Sequence, residues 1–465
     1  MSASFPSRPE PLGSGRLGAR ASAVSPQESP AGQSAWDGRL AGLLIVAITA
    51  VLIGPLVGGD LRPLQAGLFL LGLYILKVTV AAVWSAKARR GSRASDTLPF
   101  VSVLIPARNE ERVIATTIAE VVAQDYRAPD GTPRFEILAI DDASTDETGT
   151  ILASLSAQYE FLRVLTRNTV DGGGKAAALN AALPSCRGDV IVVFDADILI
   201  APNFLGTLIA ALDPSVAGVQ ARVRIYNGKS HRLAACQDDE FATYHKVMQH
   251  GRDALDGAVG LGGQGQAVWA SAIRRVDGWH TGASTEDLDL TVRLVLAGFR
   301  VRFCPDAVVW QEGVTSLPAL LRQRRRWFAG NLRVCFTYLW PLLKARVALR
   351  RRLDYAVYLV SLLTPFWLLL SYVVLNLRQI VSPERPLALA PIYILVSAAA
   401  YFPMIVIGLW GYSLLCIPIG LAALWQTLVV RTPAWDKTLH MGLPARELPP
   451  RERILIGQSV ADGDG

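Results

Sequence analysis

VIVVFDAD, residues 190–197, joins an apolar, mostly β-branched run to two aspartates one residue apart. Such a run predicts a buried strand, and the period of two places Asp195 and Asp197 on one side of it. Three neighbouring runs have the same character: VSVLIPA (101–107), FEILAIDD (135–142) and LRVLTRN (162–168). Helical stretches separate them, the alternation expected of βαβ units building a parallel sheet. An α/β domain is therefore predicted over residues 98–315.

The rest of the chain is not that of a purely soluble enzyme. Of its 465 residues 51% are hydrophobic and only 18% charged, against about a quarter in ordinary soluble proteins. Residues 1–39 are rich in Ser, Pro, Gly, Ala and Arg and predict a disordered tail. Residues 40–59 and 64–85 follow as two apolar blocks, each near the roughly 20 residues a bilayer requires. Lys87, Arg89, Arg90 and Arg93 come directly after them, while only Asp60 and Arg62 mark the turn between. The positive-inside rule then puts both ends of this hairpin in the cytosol.

Segment 316–345 carries an Arg-rich face and an aromatic face, suited to a helix in the membrane interface. Apolar stretches at 354–377, 387–409 and 411–430 precede a basic tail, 431–465. Three spans would leave that tail outside and its charge places it inside, so either one stretch is re-entrant or the tail breaks the rule. The net charge of +7 and pI near 9.2 fit such flanks, and no nucleic-acid partner is expected. Cys186, Cys236, Cys304, Cys335 and Cys416 have no metal-ligand spacing and read as reduced thiols facing a cytosol.

Chemistry concentrates at the strand ends, where open α/β sheets bind ligands. Asp141-Asp142 and Asp195-Ala196-Asp197 sit there, and the second pair suits a hard divalent cation holding phosphate oxygens. Gly172-Gly173-Gly174-Lys175 resembles a phosphate loop but fails the Walker pattern, since Thr169 and Ala176 stand where Gly and Ser/Thr are required. What remains is a loop delivering Lys175 to the start of a helix. Thr285-Glu286-Asp287-Leu288-Asp289 opens another helix with Thr285 as its expected N-cap, and an aspartate there can also act as a general base. The run Gly260-Leu261-Gly262-Gly263-Gln264-Gly265-Gln266 suggests close backbone approach to a ligand. Gln323-Arg324-Arg325-Arg326-Trp327 lies on the interface helix, facing lipid headgroups or neutralising a diphosphate.

Taken in order, Asp142, Asp195-Ala196-Asp197, Thr285-Glu286-Asp287 and Gln323-x-x-Arg326-Trp327 resemble the pattern of membrane-embedded family 2 glycosyltransferases. The resemblance runs from about Val101 to Arg333 and implies a Rossmann-like GT-A domain on the cytosolic face, joined to α-helical transmembrane segments. It implies that Asp142 contacts the uridine of a UDP-sugar, that Asp195 and Asp197 hold Mg²⁺ or Mn²⁺, and that Lys175 and Arg326 add charge at the diphosphate. Asp287 would be the catalytic base of an inverting transfer, with Asp141, Glu286 and Gln323 completing the motifs. Gln264, Gln266 and Trp327 would face the acceptor. The Gly-Gln run and Glu312-Gly313-Val314-Thr315 are more similar to cyanobacterial-type β-monoglucosyldiacylglycerol synthases than to polymer synthases. The expectation is therefore hexose transfer, glucose by preference, to a lipid such as diacylglycerol; a processive β-glycan synthase is the alternative. A transporter or scaffold carrying an inactive transferase-like domain is the remote third reading.

Overall fold

The computed structural model describes residues 35–58, 60, 62–87, 98–168, 174–213 and 215–363, with single helical positions between 367 and 423. Residues 1–34, Gly172, Gly173, the stretch 387–409, nearly all of 411–430 and the tail 431–465 lie outside the described residues.

Helices α1 (Ala35–Val57) and α2 (Arg62–Lys87) come first. The α/β domain follows as β1 (Val101–Ala107), α3 (Ile114–Val122), β2 (Phe135–Asp142), α4 (Thr148–Ser156), β3 (Leu162–Arg167), α5 (Gly174–Ala182) and β4 (Val190–Val193). It continues through β5 (Leu199–Ile200), α6 (Phe204–Ala210), β6 (Gly218–Ile225), α7 (Arg232–Thr243), a π-helical turn (Tyr244–Gln249) and α8 (His250–Ala254). Then come β7 (Gln266–Trp269), α9 (Ala270–Arg275), α10 (Glu286–Leu296), β8 (Val301–Gln311), α11 (Leu317–Lys344) and α12 (Leu349–Ser361).

The strands form one eight-stranded sheet in the order β3-β2-β1-β4-β7-β6-β8-β5. The four expected strands are mutually parallel, but β7 runs antiparallel to both β4 and β6, so the sheet is mixed and not wholly parallel. The difference arises at the end of the Gly-Gln run: its last residue, Gln266, opens a four-residue strand too short to show periodicity. Alternate residues supply the two faces. Val101, Val103, Ile105, Ile137, Val190 and Val192 pack under α3, α4 and α6; Leu104, Leu138, Ile140, Ile191 and Val193 pack under α5, α9 and α10. A sheet covered on both sides needs continuous apolar strands, which is why these runs do not alternate with polar residues.

A third apolar cluster joins α10 to α11, α12 and α1 through Leu288, Val292, Leu332, Tyr338, Tyr355, Leu359 and Ile45. The α2 helix is fixed differently. At Gly251 in α8 a Cβ would lie 2.0 Å from the carbonyl oxygen of Val78, so the two backbones touch. Among the described residues one helix, Arg62–Ser85, is long and apolar enough to cross a membrane; Gly42–Leu56 is apolar but shorter. Phe69, Leu70, Leu76, Val83 and Trp84 on α2 are exposed.

The Gly251 contact makes a direct prediction. Gly251→Ala should push α2 off the domain and cost about 1–3 kcal/mol, the usual range for overpacking a tight site, read as a lowered urea midpoint of the detergent-solubilised protein.

Candidate active site

The carboxyl ends of β1 and β2 carry two interlocked loops. Asn109 and Ala143 both adopt positive φ, +54° and +56°, a region that favours glycine. Hydrogen bonds cross between the loops in both directions: Asn109 N–H donates to Ser144 Oγ (3.0 Å), Thr145 N–H to Asn109 Oδ1 (2.8 Å) and Glu147 N–H to Glu111 Oε2 (3.1 Å). Asp141 is absorbed here, accepting from the Ser144 amide at 3.0 Å.

Its neighbour has another fate. Asp142 stands opposite Arg167 in the β2–β3 register and forms an ion pair with it, both side chains being largely buried. Burial still holds the Asp142 carboxyl above its ordinary value, against the pull of Arg167 and Arg108. Sequence motifs did not reveal Arg167, because its role depends on strand register.

The densest charge lies beyond the end of β4. Lys175, in the first turn of α5, places Nζ 2.5 Å from Asp195 Oδ1 and 3.7 Å from Glu286 Oε1, and also donates to the Gly263 carbonyl. A side chain at Gly263 would crowd this point: a Cβ would sit 3.1 Å from Lys175 Nζ and 3.6 Å from Asp287 Oδ2. Burial alone would lower the Lys175 pKa, but Asp195, Glu286 and Asp287 outweigh it and raise it to about 12. Asp287 is pushed up to about 7, first by burial and then by Glu286; the Leu288 amide and Lys175 oppose the shift. The structure thus brings Lys175, Asp195, Glu286 and Asp287 together.

Thr285 does not cap α10 with its side chain. Its hydroxyl has no hydrogen-bond partner, because the residue is pressed against α11: a Cβ on Gly330 would lie 2.7 to 3.0 Å from Thr285 Cγ2, Oγ1 and N. Arg326, four residues before Gly330, shares that helix face. The contact between α10 and α11 is locked by Asp289, which accepts from Arg293 Nε (2.6 Å) and Tyr338 Oη (2.7 Å). Neither Tyr338 nor Gly330 has a motif that would have announced it.

Asp195 and Asp197 differ more than a strand alternation predicts. The strand ends at Val193, so both residues lie on the following turn. The Asp195 side chain is 40% exposed, whereas Asp197 is buried and accepts from the Glu312 amide at 3.1 Å. Among the described residues no group of three or more His, Cys, Asp or Glu could hold a metal alone. Two carboxylates, one of them open to solvent, nevertheless fit a hard cation that takes its other oxygens from a bound diphosphate.

The Gly-Gln run is held from outside by side chains. Gln220 accepts from the Gly262 amide (2.6 Å) and donates to the Gln264 carbonyl (2.9 Å). The Gln264 side chain donates to Gln311. Gln266, expected at the acceptor, is instead fully buried in β7 between Val193 and Gln220, its amide without a partner. Its strand position seals it inside the sheet, a correction to the sequence reading. On α11, Gln323, Arg326 and Trp327 are partly exposed. The first arginine of that run is committed elsewhere, since Arg324 bonds Glu240 at 2.7 Å and stacks on Trp327 at 4.4 Å.

Residues 99–330 match the family described as glycosyltransferase like family 2. The chain is 34% identical over 328 residues to a beta-monoglucosyldiacylglycerol synthase of Nostoc sp., spanning 70% of this chain and 68% of that one. It is 28% identical over 254 residues to a poly-beta-1,6-N-acetyl-D-glucosamine synthase of Staphylococcus aureus, spanning 54% of this chain and 59% of that one. Among solved structures it is similar to a mannosyltransferase from Pyrobaculum calidifontis in complex with GDP-Man and Mn²⁺. That likeness has a TM-score of 0.58 at 20% identity over 79% of this chain and 99% of that one, and shows a shared GT-A fold.

The Asp142–Arg167 pair should be costly to break from one side. Arg167→Met leaves a buried carboxylate unpaired and is expected to lower unfolding free energy by about 3–5 kcal/mol, with Asp142→Asn in the same chain restoring part of the loss in a denaturation titration.

Proposed function

The chain belongs to glycosyltransferase family 2, and from that membership we propose that it moves a hexose, glucose by preference, from a UDP-sugar to the free hydroxyl of a diacylglycerol. The product is a β-linked glycolipid. The observation that carries the reading is the convergence of Asp287 and Glu286 on Lys175, which also pairs with Asp195, so that a carboxylate of raised proton affinity stands beside a cation able to meet a diphosphate. The lipid acceptor is supported by the Nostoc relative's name and by the exposed apolar face of α2.

In the transfer, the acceptor oxygen attacks the anomeric carbon from the face opposite the nucleotide while its proton passes to an Asp287 oxygen. The bond from that carbon to the diphosphate oxygen breaks with its electron pair leaving on UDP, so an α-linked donor gives a β-linked product. Asp142, fixed by Arg167, contacts the uracil end of the donor. Asp195 and Asp197 would hold Mg²⁺ or Mn²⁺, and a cation there would supply positive charge to the leaving diphosphate. Lys175 and Arg326 add positive charge at the same group, and Trp327 and Gln264 face the acceptor. The protein sits at the cell membrane with this domain cytoplasmic, and α2, long and apolar enough to cross a bilayer, is its anchor.

Radiolabelled UDP-glucose, diacylglycerol and Mg²⁺ should yield one labelled lipid spot on a thin-layer plate, abolished by EDTA. Label in long insoluble chains would establish the polymer synthase instead. Asp287→Asn should reduce transfer about 10²–10⁴-fold, the range for a general base. A base works ionised, so the rate should be full above the Asp287 pKa and fall as pH drops through about 7. Lys175→Met removes a group that lowers that pKa and should move the acid limb to higher pH.

A further inference from the structure

Beyond Gly260 lies a polar cluster that the chemistry above leaves unused. Arg252 in α8 is only 3% exposed. Its Nε donates to Tyr74 Oη at 3.1 Å, its guanidinium stacks over Tyr358 at 4.6 Å, and its Nη1 has no hydrogen-bond partner. The Tyr244 and Tyr358 hydroxyls lie 3.2 Å apart. Four elements therefore meet here: α2 through Tyr74, the π-helical turn, α8 and α12. π-helical turns are rare and frequently occur at functional sites.

The cluster borders the reaction centre. The segment leading into the Gly-Gln run is pinned amide by amide: Ala258 donates to Asp354 Oδ2, Gly260 to Gln249 Oε1 (3.1 Å) and Leu261 to Thr291 Oγ1 (2.9 Å). Gly260 lies over the phenols, and a methyl group in its place would be 3.4 Å from Tyr358 Oη and 3.7 Å from Tyr244 Oη. The Asp287 carboxylate is near enough to Tyr244 to add to the burial that holds its phenol above its ordinary pKa.

One phenol of the pair donates to the other, so the cluster keeps two spare donors, a phenolic O–H and the Arg252 Nη1–H. A buried guanidinium N–H left unpaired is unfavourable, and a ligand with an acceptor oxygen removes the penalty. Asp354 offsets the charge of Arg252, which favours neutral oxygens over an anion. The exposed apolar residues Phe69, Leu70, Leu73 and Leu76, flanking Tyr74 in sequence, offer hydrocarbon chains a path along α2. We propose that Arg252, Tyr244 and Tyr358 bind the two ester carbonyls of the acceptor glyceride and hold its free hydroxyl toward Asp287. The assignment rests on the lipid-acceptor reading above and names the groups that would select a glyceride.

The test uses the full chain in phosphatidylcholine vesicles, comparing dioleoylglycerol with dioleylglycerol, the diether that lacks both carbonyls. Tyr358→Phe and Tyr244→Phe keep the ring volume and remove only a hydroxyl. With the ester lipid, at least one variant should raise the acceptor KM about three- to tenfold, the worth of one neutral hydrogen bond, with the donor KM unmoved. The wild type should lose a similar factor on going from ester to ether, and the affected variant should lose less, because the interaction is already gone. A wild type indifferent to ester or ether overturns the pocket, as does a variant whose KM rises equally for both lipids or together with the donor KM. Those results leave the lipid-acceptor reading standing. A wild type that cleaves UDP-glucose but glycosylates neither glyceride overturns that reading and the pocket with it.

Discussion

One ammonium group organises the centre of this molecule. Lys175 is held by Asp195, Glu286 and the Gly263 carbonyl, with Asp287 close by, so four segments far apart in sequence converge on a single positive charge. Without it, three carboxylates would share a small, partly buried volume, where like charges repel strongly at low effective dielectric. The cation permits the convergence without satisfying it fully, and the proton affinity of Asp287 is the residue of that imbalance. The same contact explains why residue 263 is glycine: a side chain there would stand between the ammonium and the carboxylate.

Around this point the fold works by bracing. Gln220, Gln249, Thr291 and Asp354 each take an amide of the 258–262 segment, so a stretch rich in glycine is held by its neighbours' side chains. On the other side α11 presses Gly330 on Thr285, and Asp289 ties α10 to Tyr338. Side chains locked in this way hold a reacting group in place better than a free loop could.

Much of this was legible in the sequence, and the boundary of legibility is physical. Uninterrupted apolar runs announce a sheet buried on both faces, and VIVVFDAD, FEILAIDD and VSVLIPA became neighbouring parallel strands with their acids at one end. Lys175, Asp195, Glu286 and Asp287 were singled out by residue type and position at element ends, and they do assemble. What failed depends on register or on close approach. Arg167 matters because it stands opposite Asp142, and Gln266 is sealed because β7 inserts between β4 and β6; no local pattern states either. Thr285 had every mark of a cap, yet the helix crossing at Gly330 took its side chain for packing.

The crossing of α8 over α2 reaches further than the two helices. With the Gly251 backbone against the Val78 carbonyl, flanked by the Arg252–Tyr74 and His250–Ser85 contacts, the 26-residue helix, about 39 Å long at 1.5 Å per residue, is gripped by one short helix of the domain. One five-residue helix thus couples the α/β domain to a helix long and apolar enough to cross a membrane.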